Sequence, residues 1–190
     1  MKILALQGSP RADGNTQALL DLVVAAAREA GADIQTVHLR ELKNLTGCHE
    51  CGACQRDHEH PACAIDDDMQ HILAQALLTD VIVWATPVFC WSPTWLLKMA
   101  VDRLYCTFKF TAFDVKSLLS GKRMAAVITA GGGPEDGADL VIETFRRTAK
   151  WSGCEWLGAL VAEKSQSPDG IRADAALVER ARAFGRKLAS

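Results

Sequence analysis

Apolar positions along the 190-residue chain fall into two alternating rhythms. Lys2 to Leu6 is a short apolar run that stops at Gly8 and predicts a buried strand. Residues 16–30 follow with Leu19, Leu22, Val23, Ala26, Ala27 and Ala30 at helical spacing, and Gly31 stands where a helix C-cap glycine belongs. Residues 34–39 alternate like a strand. Residues 44–65 show no clear period. Asp66, Asp67 and Asp68 then offer N-cap chemistry for a helix running to Leu78. Val81-Ile82-Val83-Trp84-Ala85 is apolar throughout, as a strand covered on both faces should be. A helix is expected over 94–104, a strand over 123–130, a helix over 136–151, a strand over 155–161, and a terminal helix over 173–188 with a basic end. Residues 105–121 have no assignable pattern. Strands alternating with helices predict an α/β fold, a parallel sheet wound on both faces. No repeat or linker divides the chain, so residues 1–190 read as one domain with a cysteine-rich loop at about 44–66.

In a doubly wound sheet, ligands bind beyond the carboxyl ends of the strands. Three loops should share that edge: residues 8–15, 86–93 and 130–136. The first joins a strand to a helix and carries Ser9, Arg11 and Asn15, with Thr16 next in the chain. Hydroxyls, a cation and a helix N-terminus together make an anion site. The loop lacks the Gly-Lys-Ser/Thr of a nucleoside triphosphate loop and the G-x-G-x-x-G spacing of a dinucleotide loop, which leaves a monophosphate. The second loop contains Pro87, Val88, Phe89 and Trp91, with Trp95 just beyond it, a stiff flat wall suited to a planar ring. The third has Gly131, Gly132 and Gly133, whose bare backbone can approach a ligand closely.

Composition narrows the picture. Apolar residues make up 49% and charged residues 23%, which excludes a disordered chain. The net charge is −2 with no basic run, which argues against nucleic-acid binding. The opening apolar stretch is too short for a signal-peptide core, and nothing approaches a membrane span, so a cytoplasmic protein is expected.

Seven cysteines are present, and four of them, Cys48, Cys51, Cys54 and Cys63, crowd one segment. In a reducing compartment such clusters point to metal or redox chemistry rather than to disulfides. Cys-x2-Cys-x2-Cys lets three thiolates converge from one tight loop, and Cys63 supplies a fourth for an iron–sulfur cluster. His58 and His60 in the intervening insert also permit a mixed Cys/His zinc site, and free thiols are the third reading. Cys90, Cys106 and Cys154 read as small space-filling residues, and His38 and His71 as ordinary packing or surface residues.

These motifs resemble a known family. Residues 2–11 followed by Gly14-Asn15-Thr16 resemble the phosphate loop of the flavodoxin-like NADPH-dependent FMN reductases. Thr86-Pro87-Val88-Phe89 with Leu97-Lys98 and Asp102-Arg103 resembles that family's flavin-ring loop and following helix. The cysteine spacing with Asp67-Asp68-Met69 is similar to the iron–sulfur flavoprotein branch. The resemblance implies a flavodoxin-like sheet of five parallel strands in the order 2-1-3-4-5, within three α/β/α layers. It implies FMN held at the phosphate by Ser9, Arg11, Asn15 and Thr16. The ring would lie along Pro87, Val88, Phe89 and Trp91, opposite Ala130, Gly131 and Gly132. A 4Fe-4S cluster on Cys48, Cys51, Cys54 and Cys63 is the metal site it suggests. The implied activity is electron transfer from NAD(P)H through FMN to a quinone-like or other small acceptor, in a homodimer or homotetramer. An electron carrier without NAD(P)H chemistry and a redox-responsive flavin-binding regulator are the alternatives.

Overall fold

The structure, a computed structural model, describes residues 1–164 and 167–190. Its strands are β1 (Lys2–Gln7), β2 (Asp33–His38), β3 (Val81–Pro87), β4 (Phe108–Phe110), β5 (Val115–Ser117), β6 (Arg123–Thr129) and β7 (Glu155–Ala162). Its helices are α1 (Asn15–Glu29), α2 (Met69–Leu78), α3 (Trp95–Arg103), α4 (Ala138–Trp151), α5 (Pro168–Ala173) and α6 (Ala175–Ala189). Five strands form one parallel sheet in the order β2-β1-β3-β6-β7. With the small β4–β5 hairpin set aside, this is the 2-1-3-4-5 order of a flavodoxin-like fold.

The side-chain alternation of each strand assigns it to two cores. Ile3 and Ala5 of β1, Val83 of β3 and Val127 of β6 face Leu19 and Val23 of α1 and Leu177 and Ala181 of α6. Leu4, Leu6, Ile82, Trp84, Ala126 and Ile128 face the other way, toward Leu73 of α2, Leu97 of α3 and Val141 and Phe145 of α4. Trp84 and Phe145 stack with centroids 5.6 Å apart. Burial on both faces is why these strands read as unbroken apolar runs. Among the described residues, no helix is long and apolar enough to cross a membrane.

Several elements depart from the sequence expectation. Residues 105–121, patternless in sequence, form a 3-10 turn at Leu104–Thr107 and the antiparallel β4–β5 hairpin. The terminal helix is preceded by α5, started by Pro168 and by Ser167, whose hydroxyl accepts from the Gly170 N–H at 3.0 Å. Asp174 then caps α6 through the Leu177 N–H, at 3.0 Å. Of the three aspartates before α2, Asp67 meets the helix start, its Oδ1 accepting from the Met69 N–H at 3.2 Å. Asp68 Oδ2 accepts from the Lys43 N–H at 3.0 Å, and Asp67 is drawn into the interior.

Candidate functional site

The strand order reverses at β1, with β2 on one side and β3 on the other. The loops after β1, β3 and β6 therefore open at one edge, at the crevice expected of such sheets. The first loop rests on α3. Gly8 donates to the Ala85 carbonyl at 2.8 Å and accepts from the Thr94 hydroxyl at 2.6 Å. Thr94 Oγ1 also accepts from the Leu97 N–H at 3.3 Å and so caps α3. A side chain at Gly8 would place its Cβ 2.6 Å from Leu97 Cβ, so only glycine lets the loop lie this close. Ser9 is buried, its N–H donates to Gln7 Oε1, and its hydroxyl accepts from the Arg11 N–H at 3.2 Å. Among the described residues, no side chain caps α1, and its first turn carries no acidic residue. The positive end of the helix dipole is thus left for a ligand.

The second loop is laced to the third by the Val88 N–H, which donates to the Thr129 carbonyl at 2.8 Å. Phe89 and Ser92 exchange two backbone bonds, at 2.9 and 3.0 Å, around a two-residue turn. Both central residues, Cys90 (φ 46°) and Trp91 (φ 60°), lie in the left-handed region that glycine normally occupies. Such strain persists only where packing over-determines it. Here Gly137 (φ 110°) provides the packing, since a Cβ there would come 2.9 Å from Trp91 Cα. Cys90 is exposed on this turn, which corrects its reading as a buried space-filler. An apolar neighbourhood in sequence does not bury a residue at a turn tip.

The three loops surround one open cavity of about 200 Å³. Ser9, Arg11, Asn15 and Thr16 line one end of it. Pro87, Val88 and Phe89 line a wall, and Ala130 and Gly131 lie among the remaining lining residues. A Cβ built on Gly131 meets nothing within 4 Å, so the bare backbone there leaves room for a ring. Among the described residues, Arg11 is the one charged side chain of the lining, which suits an anion.

Two predicted residues fall outside this lining. Trp91 is 63% exposed on the strained turn. Gly132 is turned toward Asp136, whose carboxylate would lie 2.2 Å from a Cβ there. Thr129 joins the site unpredicted. It is buried, and its hydroxyl lies 2.8 Å from that of Thr16. A hydroxyl residue ending an apolar strand was the available signal.

The cysteine segment forms a second concavity. Cys48, Cys51, Cys54 and Cys63 all line it, joined by Arg103 and Cys106. In sequence Cys106 reads as a filler. It is buried, and its thiol lies 3.0 Å from the Arg103 carbonyl. Burial, with the Cys63 and Cys54 thiols nearby, pushes its pKa up to about 12, so it stays protonated. His58 and His60 do not line this pocket. Instead His60 bonds Asp57, whose carboxylate is held down at about 2 mainly by the Glu59 and His60 backbone N–H groups. Among the described residues, no three Cys, His, Asp or Glu side chains already converge as metal ligands.

Arg103 closes the back of the cysteine pocket. It reaches Asp67 through both terminal nitrogens, at 2.6 and 2.9 Å, and the Thr46 carbonyl at 3.0 Å. It ends α3, the helix whose start supports Gly8. The two pockets therefore lie at opposite ends of a nine-residue helix, about 13 Å long at 1.5 Å per residue.

Known proteins share this chain's sequence pattern and its flavodoxin-like sheet. The chain belongs to the NADPH-dependent FMN reductase family, whose sequence profile matches residues 1–166. It is 29% identical over 145 residues to an iron–sulfur flavoprotein of Methanosarcina thermophila, covering 76% of this chain and 71% of the relative. It is 34% identical over 103 residues to an iron–sulfur flavoprotein of Methanocaldococcus jannaschii, covering 54% of this chain and about half, 51%, of that relative. It is 31% identical over 156 residues to an FMN-dependent NADH:quinone oxidoreductase of Thiobacillus denitrificans, covering 76% and 74% of the two chains. The solved NAD(P)H:quinone oxidoreductase of Methanothermobacter marburgensis shares the fold, with a TM-score of 0.76 at 16% identity over 99% of this chain and 98% of its own.

Proposed function

We propose that the chain is an FMN-dependent oxidoreductase that takes electrons from NAD(P)H and delivers them to a quinone-like or other small acceptor. The convergence of the three loops on one cavity carries this reading. The cavity has an anion-binding end and an apolar wall, and the donor set fits a flavin monophosphate. FMN, when bound, supplies the hydride and electron chemistry. The chain's own residues bind and orient it. Ser9, Arg11, Asn15 and Thr16, with the α1 N-terminus, hold the phosphate. Pro87, Val88 and Phe89 bound the ring on one side, and the Ala130–Gly131 backbone bounds it on the other. Trp91 and Gly132 shape the neighbouring turns. The relative named as an NADH:quinone oxidoreductase supports the acceptor class.

The test is uptake of FMN followed by anaerobic NAD(P)H oxidation with and without a benzoquinone. A stoichiometric yellow complex and quinone-stimulated turnover are expected. A chain that takes up no FMN overturns the reading.

A second reading concerns the cysteine pocket. Four thiols and a buried guanidinium share one concavity, which fits an anionic metal–thiolate group. On this reading Cys48, Cys51, Cys54 and Cys63 hold a 4Fe-4S cluster, which when bound supplies one-electron transfer. Iron and sulfide analysis of anaerobically prepared protein tests it, and finding neither removes it. The exposed Phe89, Trp91, Trp95 and Phe113 support assembly into a homodimer or homotetramer. A monomeric sedimentation profile would count against that.

A further inference from the structure

Two cations are enclosed behind the cysteine pocket, and only one is neutralised. Arg103 is paired with Asp67. Lys109, on β4, is 0% exposed, and among the described residues no carboxylate forms an ion pair with it. Among the described residues, its ammonium donates only to carbonyl oxygens, of Cys54 at 2.8 Å and Pro61 at 3.3 Å. Both belong to the cysteine loop. A buried ammonium without a counter-charge is among the most unfavourable groups a fold can enclose. Nor is the charge needed to dock the loop. Gln55 already does so by pairing with β4 as an added strand would, donating to the Phe108 carbonyl at 2.9 Å and accepting from the Phe110 N–H at 3.1 Å. An apolar side chain would fill the same space without desolvating a cation.

We propose that Lys109 is the charge-compensating residue of the cysteine pocket, buried there to stand behind an anionic metal–thiolate group, to retain it and to raise its reduction potential. The assignment rests on the reading that Cys48, Cys51, Cys54 and Cys63 hold a cluster. Four thiolates outweigh a doubly charged core, so the occupant is an anion. Each electron added makes it more negative. A fixed cation in low-dielectric surroundings favours that reduced form and opposes loss of the group.

The experiment uses the full chain, reconstituted anaerobically with iron and sulfide. Lys109→Met and Lys109→Gln remove the charge, Lys109→Gln keeping a donor for the Cys54 carbonyl. Lys109→Arg keeps the charge. FMN uptake, at the remote end of α3, reports that each variant is folded. In a redox titration, both neutral variants should shift the reduction equilibrium roughly tenfold toward the oxidised form, about 59 mV for a one-electron couple. They should also lose iron to a chelator several-fold faster, while Lys109→Arg stays near the parent in both. If Lys109→Met does not fold, Lys109→Gln alone decides. A folded neutral variant with the parent's potential and rate of iron loss overturns the assignment. A parent chain that takes up no iron overturns the cluster reading beneath it, a separable result because no variant is involved.

Discussion

Asp67 and Arg103 form a two-pronged ion pair, 2.6 and 2.9 Å between heavy atoms, with both side chains almost completely buried. They are 36 residues apart, one just before α2 and the other at the end of α3. The pair locks the start of one helix to the end of another and fixes the back wall of the cysteine pocket.

Removing one partner leaves the other charge buried and alone. Asp67→Asn or Arg103→Met should therefore cost about 3–5 kcal/mol in urea unfolding. Replacing both together should cost less than the sum of the two. Strict additivity would show that the pair is not the coupling element.

The Thr16–Thr129 hydroxyl contact ties the start of α1 to the end of β6 across the cavity floor. Thr129→Val leaves a buried hydroxyl without its partner, a loss of about 1–3 kcal/mol. FMN affinity, read by quenching of flavin fluorescence, should fall in Thr129→Val and in Thr16→Val. The double variant should show coupling between them.

Arg11 is exposed, so its interaction with a phosphate is partly screened. Arg11→Ala should weaken FMN binding roughly tenfold, the equivalent of about 1.4 kcal/mol. Riboflavin, which lacks the phosphate, should bind both forms alike. Equal losses for the two flavins would remove Arg11 from the phosphate end.

Two buried thiols make stability fall in alkali. Burial raises the Cys106 pKa from about 9.0 to about 12 and that of Cys154 to about 11. The unfolded chain therefore releases these protons first, and stability declines with rising pH. The contribution is whole below about pH 9 and is lost progressively toward pH 11 to 12. Cys106→Ala should flatten the upper part of that decline in a pH series of thermal melts. Native-state alkylation of the iron-free chain at pH 8 should spare both thiols while labelling the exposed Cys48, Cys51 and Cys90.

What the sequence by itself determined was the layering and the ligand edge. The unbroken apolar runs of β1, β3 and β6 require cover on both faces, and a parallel sheet then places the loops holding Ser9, Pro87 and Ala130 at one end. Those inferences depend on local pattern and on topology that short connections enforce. The resemblance supplied the strand order and the flavin. What only the tertiary structure decided were contacts between residues distant in sequence. Asp67 reads as a helix cap and accepts from the Met69 N–H, but nothing in sequence shows that Arg103 arrives from α3 to pair with it. Cys106 reads as filler until a 3-10 turn brings it to the cysteine pocket. Lys109 lies in a stretch without an assignable pattern until the hairpin folds its ammonium under the Cys54 carbonyl. Periodicity reports which face of an element is covered. It does not report which charged group, from a chain segment tens of residues away, will be enclosed against it.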